Sequence, residues 1–206
     1  MHHPFAQRMS TDPPIAAPTV ACDRVTLRPL ALTDAPALAR YRADPEVARY
    51  QSWADYTLVD AEALCRAQAT VEFGAPGTWR QLAIVLRETA GVIGDCGLHF
   101  AEDGSAQIEI GFTVARDHQG RGLATEAIAG VVDLAFGPLR MHRITARIDA
   151  RNAPAASLLG RLGFRCEGRF AQCALFKGSW CDEEAHAILA GEWAAHPLAG
   201  RAVITG

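Results

Sequence analysis

Lysine is almost missing from this sequence, and so are long apolar runs. Lys177 is the one lysine, arginine supplies the rest of the positive charge, and the formal net charge is -3. Proteins built to bind nucleic acid normally carry a clear basic excess, so we expect no nucleic-acid partner. No apolar run reaches the ~18 residues that cross a bilayer, and the first residues lack the charged-then-apolar pattern of a secretory signal. We therefore expect a cytoplasmic protein with no membrane partner.

Paired metal-ligand spacing is also lacking. The six cysteines form no C-x-x-C pair and show no ligand-like spacing with histidine. In a reducing compartment such residues act mainly as small buried apolar groups. We expect no disulfide framework, no zinc site and no other metal. The cysteines are Cys22, Cys65, Cys96, Cys166, Cys173 and Cys181.

What the sequence does contain is enough apolar material for one folded domain. The chain has 206 residues, of which 50% are hydrophobic and 21% are charged, and this is the profile of a single globular unit. The chain ends are poor in apolar periodicity. We predict a flexible N-terminal tail over residues 1–20, a domain over residues 21–193 and a C-terminal tail over residues 194–206.

Hydrophobic periodicity predicts a mixed order of strands and helices. The Glu88-Thr89-Ala90-Gly91 stretch separates two β-rich runs and is typical of an antiparallel hairpin. Asn152 is placed to cap a helix that ends at Gly163. The predicted strands are 25–30, 79–87, 92–100, 107–114, 143–149, 164–176 and 183–192, and the predicted helices are 35–41, 59–71, 123–136 and the one after Asn152.

The segment that joins strand 107–114 to helix 123–136 is the most informative. Glu109 lies in the middle of the strand, on its polar face. Gly120 and Gly122 then precede the helix, whose first backbone N–H groups have no intrahelical partner and lie at the positive end of the helix dipole. Such a helix start can hold a pyrophosphate without any lysine. The alternative is that these glycines only make a turn, and short glycine motifs do match by chance.

Two other phosphate motifs fit less well. A Walker loop needs Gly-Lys-Ser/Thr, whereas Leu123 and Ala124 follow Gly122 here. The dinucleotide pattern G-x-G-x-x-G has Thr125 in place of its third glycine, and the upstream strands form a meander instead of repeated βαβ units. A nicotinamide oxidoreductase therefore stays a remote alternative.

A family resemblance extends over residues 25–193. The stretch Gln119-Gly120-Arg121-Gly122-Leu123-Ala124 after Ile108-Glu109-Ile110-Gly111-Phe112 resembles the acyl-CoA-binding motif of the GNAT N-acetyltransferase superfamily. Further short stretches, from Arg28-Pro29-Leu30 to Phe176-Lys177-Gly178, resemble its ribosomal-protein branch (RimJ/RimL-like) in the same order. The resemblance implies an α+β (mixed α/β) GNAT fold, with a mostly antiparallel central sheet that is splayed between its fourth and fifth strands and flanked by helices.

The resemblance also implies a site for acetyl-CoA as co-substrate. The pantetheine arm would lie in the gap between the strand of Glu109 and the strand that starts near Arg143. Backbone amides at the helix start would bind the pyrophosphate, and Asn152 would contact the cofactor or a water near the sulfur. The implied cofactor-binding residues are Phe112, Thr113, Val114, Gln119, Gly120, Arg121, Gly122, Leu123, Ala124, Thr125 and Asn152.

The implied reaction needs a neutral amine. A lysine-like amine with a pKa of ~10.4 pays ~4.6 kcal/mol to lose its proton at pH 7, whereas an α-amino group with a pKa of ~7.7–8.0 pays only ~1–1.4 kcal/mol. Glu109 is the candidate base, with a plain ion-paired or solvated residue as the alternative.

The family's usual acid positions hold Ala155 and Leu159, so Ser157 is the candidate acid that protonates the CoA thiolate. The alternative for Ser157 is an ordinary place on the helix surface.

The resemblance implies a primary amine as acceptor, either a protein N-terminal amine or a small-molecule amine. Arg49, Tyr50, Trp53 and Tyr56 lie where the family binds its acceptor, and ordinary loop packing is an equal alternative. A catalytically weak CoA-binding or regulatory module is the second function that the sequence allows, because the acid positions are changed. The oligomeric state, a homodimer included, stays open.

Overall fold

The computed structural model describes residues 17–206, and within them nine strands form one sheet in the order β7-β8-β6-β5-β4-β3-β2-β1-β9. The strands are β1 (Thr19–Ala21), β2 (Val25–Pro29), β3 (Trp79–Leu86), β4 (Gly91–Phe100), β5 (Gln107–Val114), β6 (Arg143–Asp149), β7 (Arg165–Phe176), β8 (Ser179–Leu189) and β9 (Val203–Thr205). The helices are α1 (Ala35–Arg42), α2 (Pro45–Ala48), α3 (Leu58–Thr70), α4 (Leu123–Phe136), α5 (Ala153–Arg161) and α6 (Ala190–Ala194).

The sheet is antiparallel except at one place. Strands β2 to β5 form a meander, β6 and β7 each pair with β8 in the antiparallel sense, and only β5 and β6 run parallel. The predicted mixed and mostly antiparallel fold is confirmed. Because the sheet contains no series of parallel βαβ units, the doubly wound fold that a nicotinamide oxidoreductase would need is not present in residues 17–206.

Helices cover both faces of the sheet. Ile108 and Ile110 of β5 point to the face where α4 and α5 pack, and they join the larger hydrophobic core. The opposite face holds a smaller core around Leu38 of α1 and Cys65 of α3. Since side chains alternate along a strand, Glu109 lies on the α1 and α3 side of the sheet. A group on one face can therefore reach a group on the other face only where the sheet is open.

The sheet opens between β5 and β6. Their pairing covers only three positions and ends at Glu109 opposite Thr145. Beyond this point β5 keeps β4 as its one neighbour, and β6 stays paired with β8 to its end at Asp149. The predicted splay is confirmed; the two strands are the fifth and sixth of the chain because β1 precedes those that the sequence revealed.

The segment after Trp193 is folded, so the predicted C-terminal tail is wrong. Strand β9 pairs with β1 and extends the sheet. The carboxylate of Asp133 on α4 accepts hydrogen bonds from the Trp193 indole at 2.8 Å and from the backbone N–H groups of Gly200 and Ala202 at 2.7 and 3.1 Å. One buried acid thus fixes this segment. Because that acid lies on α4, the sequence of the segment itself shows no periodic pattern that would predict its folding.

The N-terminal prediction is wrong at its boundary. Strand β1 begins at Thr19, so residues 19 and 20 belong to the domain. Residues 1–16 of the predicted tail lie outside the described residues. Gly130 of α4 allows β1 to come close, because a Cβ at Gly130 would lie only 3.0 Å from the Val20 side chain. In residues 17–206 we find no helix with both the length and the apolar character needed to cross a membrane.

Candidate functional site

The helix start predicted to bind an anion is open to solvent. Gly120 and Gly122 have φ angles of +69° and +75°, and Gly122 is the residue that precedes the first turn of α4. Both glycines and Arg121 between them are exposed. Only glycine adopts this left-handed backbone freely, so the two glycines set the direction in which the chain enters the helix.

The amides of this loop are available for a ligand. No group in residues 17–206 accepts a hydrogen bond from the backbone N–H groups of residues 120–125. The first backbone hydrogen bond of α4 is donated by the Glu126 N–H to the Gly122 carbonyl at 3.1 Å. A Cβ added at Gly120 would meet nothing within 4 Å. A row of free amides at the positive end of a 14-residue helix is a fit for a pyrophosphate.

A cleft of about 770 Å³ lies in front of this loop. All predicted site residues line it except Arg121 and Glu109. The cleft also includes residues outside the predicted catalytic and cofactor-binding set, on the α2 side, in the loop after β5 and on α5; Arg49 and Tyr50 among them are the two acceptor-site candidates that line it. The predicted residues in the lining are Phe112, Thr113, Val114, Gln119, Gly120, Gly122, Leu123, Ala124, Thr125, Asn152 and Ser157, and the added ones are Glu46, Val47, Arg49, Tyr50, Gln51, Arg116, His118, Pro154, Ala155, Leu158 and Arg161.

Gln119 and Arg121 support the loop from behind. The Gln119 side chain donates to the Val114 carbonyl at 2.8 Å, which fastens the loop to the end of β5. The Arg121 carbonyl accepts from the Arg24 guanidinium at 3.0 Å, and Arg24 in turn is paired with Glu126. These contacts hold the loop amides in place, and they direct the Gln119 amide group to β5.

Helix α5 provides the opposite wall of the cleft. Asn152 caps it as predicted, accepting from the Ala155 N–H at 3.2 Å. Arg161, the last residue of α5, donates to the Ser157 hydroxyl at 2.8 Å and to the Thr125 hydroxyl at 3.4 Å. Arg161 therefore brings a positive charge to the loop, with no carboxylate partner among the described residues. Sequence reasoning missed it because its partner Thr125 is 36 positions away.

Glu109 occupies the last paired position before β5 and β6 separate. It lies between His99 of β4 and Thr145 of β6 and is half-buried. Burial raises the pKa of this carboxyl above its usual range, Glu183 acts in the same direction, and Arg147 and His99 oppose the rise. A carboxylate with a raised pKa is a better proton acceptor near neutral pH.

The segment between α1 and α3 divides into two parts. Arg49 and Tyr50 line the cleft. Trp53 and Tyr56 instead pack around Arg42, whose guanidinium lies 4.3 and 5.1 Å from their ring centres. For these two aromatic residues the loop-packing alternative is the one that the structure supports.

Arg42 belongs to a buried polar network that joins α1 to β4. It pairs with Asp95 at 2.5 Å, and the Tyr41 hydroxyl donates to the other oxygen of that carboxylate at 2.5 Å. Asp95 lies directly opposite Thr113 of β5. The network thus fixes α1 and the aromatic pair Trp53 and Tyr56 relative to the strand that borders the cleft.

The geometry separates two tasks across the sheet. On the α4 and α5 side, free amides and the Arg161 guanidinium lie beside an unpaired strand edge. On the other side, the Glu109 carboxyl lies at the point where the strands separate. A ligand that carries phosphates and an extended arm can lie on the first side, and a nucleophile can meet it through the opening.

Comparisons with known proteins identify the family. The family model described as acetyltransferase (GNAT) domain matches residues 24–165. A Bacillus licheniformis relative, uncharacterized N-acetyltransferase p20, is 33% identical over 176 residues, which cover 85% of this chain and 98% of the relative. The ribosomal protein uS5 alanine N-acetyltransferase of Escherichia coli is 31% identical over 84 residues, or 41% of this chain and 43% of that enzyme.

A solved structure extends the comparison to a CoA complex. Mycobacterium smegmatis RimJ in complex with CoA-disulfide has a TM-score of 0.76 and 27% identity, and the match covers 89% of this chain and 95% of that one. The fold, the family model and the relatives point the same way. The chain belongs to the GNAT family of N-acetyltransferases, with RimJ/RimL-like ribosomal-protein acetyltransferases among its relatives.

Proposed function

We propose that the protein transfers the acetyl group of acetyl-CoA to a primary amine by direct attack of the amine on the thioester. The observation that carries this proposal is the free row of amides at the start of α4, next to a strand edge that opens at a half-buried glutamate. The same elements would serve for any acyl-CoA. The acetyl group is proposed because the relatives are N-acetyltransferases.

The phosphates would be held at the α4 start. The N–H groups of residues 120–125 supply donors, the helix dipole adds a partial positive charge, and Arg161 adds a full one. The unpaired edge of β5 near Phe112, Thr113 and Val114 offers backbone groups to the pantetheine amides, in the manner of an added strand. The Asn152 side-chain oxygen caps α5, so its amide nitrogen would be the group that donates to the ligand in the cleft.

Glu109 would take the proton of the attacking amine, directly or through a water. Its raised pKa suits this role, because a base is most effective when its pKa approaches the working pH. Arg147 and His99 act against the rise in the Glu109 pKa. The position of Glu109 on the α1 and α3 side means that the amine would arrive from that side.

The leaving thiolate would depart with little help from an acid. Ala155 and Leu159 are buried and carry no proton donor. Ser157 is the one candidate acid from the sequence, and in the structure it is exposed with its oxygen bonded to Arg161. A thiol of cysteine-like acidity, with a pKa of about 8.5, leaves readily as the thiolate. We propose that Ser157 supplies the proton, because its oxygen accepts from Arg161 and its own hydroxyl proton stays free to donate.

An α-amino group is the acceptor that this arrangement favours. Deprotonating it at pH 7 costs about 1–1.4 kcal/mol, which a single carboxylate of raised pKa can offset, whereas a lysine side chain needs about 4.6 kcal/mol. The E. coli relative carries the name of a ribosomal-protein alanine acetyltransferase. We therefore place protein or peptide N-termini first and small-molecule amines second.

The test is a thiol-release assay with acetyl-CoA and a panel of amines that includes peptides with different first residues and a polyamine. Glu109→Gln should lower turnover by about 10²-fold or more and leave CoA affinity within about twofold of normal. Glu102→Gln, which changes an exposed glutamate in the turn after β4, should change neither quantity. Unchanged turnover in Glu109→Gln would remove Glu109 as the base.

The panel also tests the alternative of a CoA-binding module, which the buried Ala155 and Leu159 keep open. CoA binding with no acceptor-dependent thiol release for any amine would favour the module. Acceptor-dependent release, with a clear preference within the panel, would establish the transferase and identify the acceptor class.

A further inference from the structure

Three metal-ligating side chains meet outside the cleft. Cys166 of β7 and Glu184 and His186 of β8 each place a donor atom within 4.8 Å of the others. None of the three lines the cleft described above. The cluster belongs to the far edge of the sheet, where β7 is the terminal strand.

The pairing of β7 with β8 creates this cluster. Cys166 lies directly opposite His186, so their side chains share a face of the sheet, and Glu184 shares it because it is two positions from His186. The register then shifts between Cys166 and Gly168, which inserts one additional residue into β7. Bulges of this kind redirect side chains next to functional positions. Spacing along the chain did not reveal the cluster because 18 positions separate the two strand segments and no C-x-x-C pair takes part.

The histidine is held in the manner of a ligand. His186 is 6% exposed, its Nε2 atom lies 3.3 Å from the Glu184 carboxylate, and its Nδ1 atom is buried with no hydrogen-bond partner among the described residues. The Nε2 atom and the carboxylate oxygen that it faces are 3.3 Å apart. Two ligands of one tetrahedral ion, each bound at about 2.0–2.1 Å, lie roughly that far from each other. A cation between Nε2 and the Glu184 carboxylate could therefore bind both.

We propose that Cys166, Glu184 and His186 bind a divalent transition-metal ion of the zinc type. Thiolate, imidazole and carboxylate are the ligand types that zinc takes in proteins, at about 2.0–2.3 Å. One thiolate and one carboxylate balance the double charge of the ion, and the thiol proton passes to the solvent when the metal binds. Donor atoms in a tetrahedral shell are closer together than 4.8 Å, so the exposed Cys166 side chain rotates toward the other two.

Cys166 and Glu184 make only weak contacts that metal binding would have to break. The Cys166 sulfur makes only a long contact of 3.7 Å with the Gly168 carbonyl. Glu184 has a 3.9 Å ion pair with Arg169, whose side chain is 58% exposed and is bonded more closely to Asp182 at 2.9 Å. Exposed ion pairs of this kind contribute little. The metal would therefore join the terminal strand β7 to β8 and leave a coordination position for water.

The first experiment titrates chelator-treated protein with Co²⁺, which takes the place of zinc and reports on its ligands by optical absorption. We expect one equivalent to bind and to give both the d–d bands of a tetrahedral ion and a thiolate charge-transfer band. Zn²⁺ should displace the cobalt, and Mg²⁺ should not. Binding of neither ion at one equivalent would overturn the proposal.

Variants identify the ligands. Cys166→Ser should abolish the charge-transfer band and weaken binding at least tenfold; because Cys166 is exposed, this variant keeps the fold. Cys173→Ser is the matched control, since Cys173 is the other exposed cysteine of β7, and it should bind cobalt normally. His186→Gln, with circular dichroism to check folding, should also weaken binding at least tenfold. A charge-transfer band that persists in Cys166→Ser, or is lost in Cys173→Ser, would contradict the assignment. Because this readout needs no acetyl-CoA, it is independent of the proposed reaction.

Discussion

Replacing Gly120 by alanine separates the backbone cost of the loop from its role in binding CoA. Gly120 has a φ angle of +69°, and its Cβ position is empty in the free protein. The substitution should lower stability only through the left-handed backbone. Gly104 is the matched control, because it has a φ angle of +65°, an equally empty Cβ position and a place in the turn between β4 and β5.

The expected magnitudes follow from these numbers. An alanine held in the left-handed region costs roughly 1–2 kcal/mol, so each variant should lose about 2–8 °C in Tm for a chain of this size. The two losses should be similar. A methyl group at Gly120 would also stand where a phosphate must approach the backbone. CoA affinity should therefore fall at least tenfold, or about 1.4 kcal/mol, in Gly120→Ala alone.

The assay is isothermal titration of each variant with CoA, accompanied by thermal melting. Gly104→Ala should bind CoA like the unaltered protein although it melts at a lower temperature. Equal CoA affinity in Gly120→Ala and Gly104→Ala would refute the idea that phosphates contact the backbone at this loop. A Tm loss confined to one variant would refute the backbone argument for their stability.

Three further predictions concern single acids. The rate should rise with pH through the raised pKa of Glu109, since only the ionised carboxylate accepts a proton, and a pH profile of kcat/KM that lacks this acidic limb would contradict its role. Asp133→Ala should cost about 3 kcal/mol in urea unfolding, because buried donors from Trp193 and the C-terminal segment lose their acceptor; a loss below 1 kcal/mol would show that the segment is held otherwise. Asp95→Ala should cost about 3–5 kcal/mol because Arg42 is left buried and unpaired, and an unchanged urea midpoint would contradict this.

The sequence predicted the elements that form the central part of the fold. Strand 107–114 and helix 123–136 have the same bounds in the structure, as does strand 143–149. Alternation in the strand and a clean 3.6-residue period in the helix give strong local signals. The glycines at the helix start are also a local signal, because Gly120 and Gly122 themselves adopt the left-handed backbone that their presence predicts.

Local periodicity and glycine positions did not predict the contacts between segments that are distant in sequence. Strands β1 and β9 are three residues each, too short for a periodic signal, and they are fixed by pairing with each other and by Asp133. Arg161 reaches Thr125 only because α5 packs beside α4. The cleft residues predicted from the family motif are local to two junctions, whereas Glu46, Val47 and Gln51 reach the cleft from the distant α2 side.

The amides of residues 120–125 allow the most direct test of the central claim. In a ¹H–¹⁵N NMR titration of the protein with CoA, their resonances should shift more than those of any other segment and should become protected from solvent exchange. The residues at the edge of β5 should follow. If these amides keep their free-state shifts and exchange rates at saturating CoA, the helix start does not hold the phosphates and the proposed site is wrong.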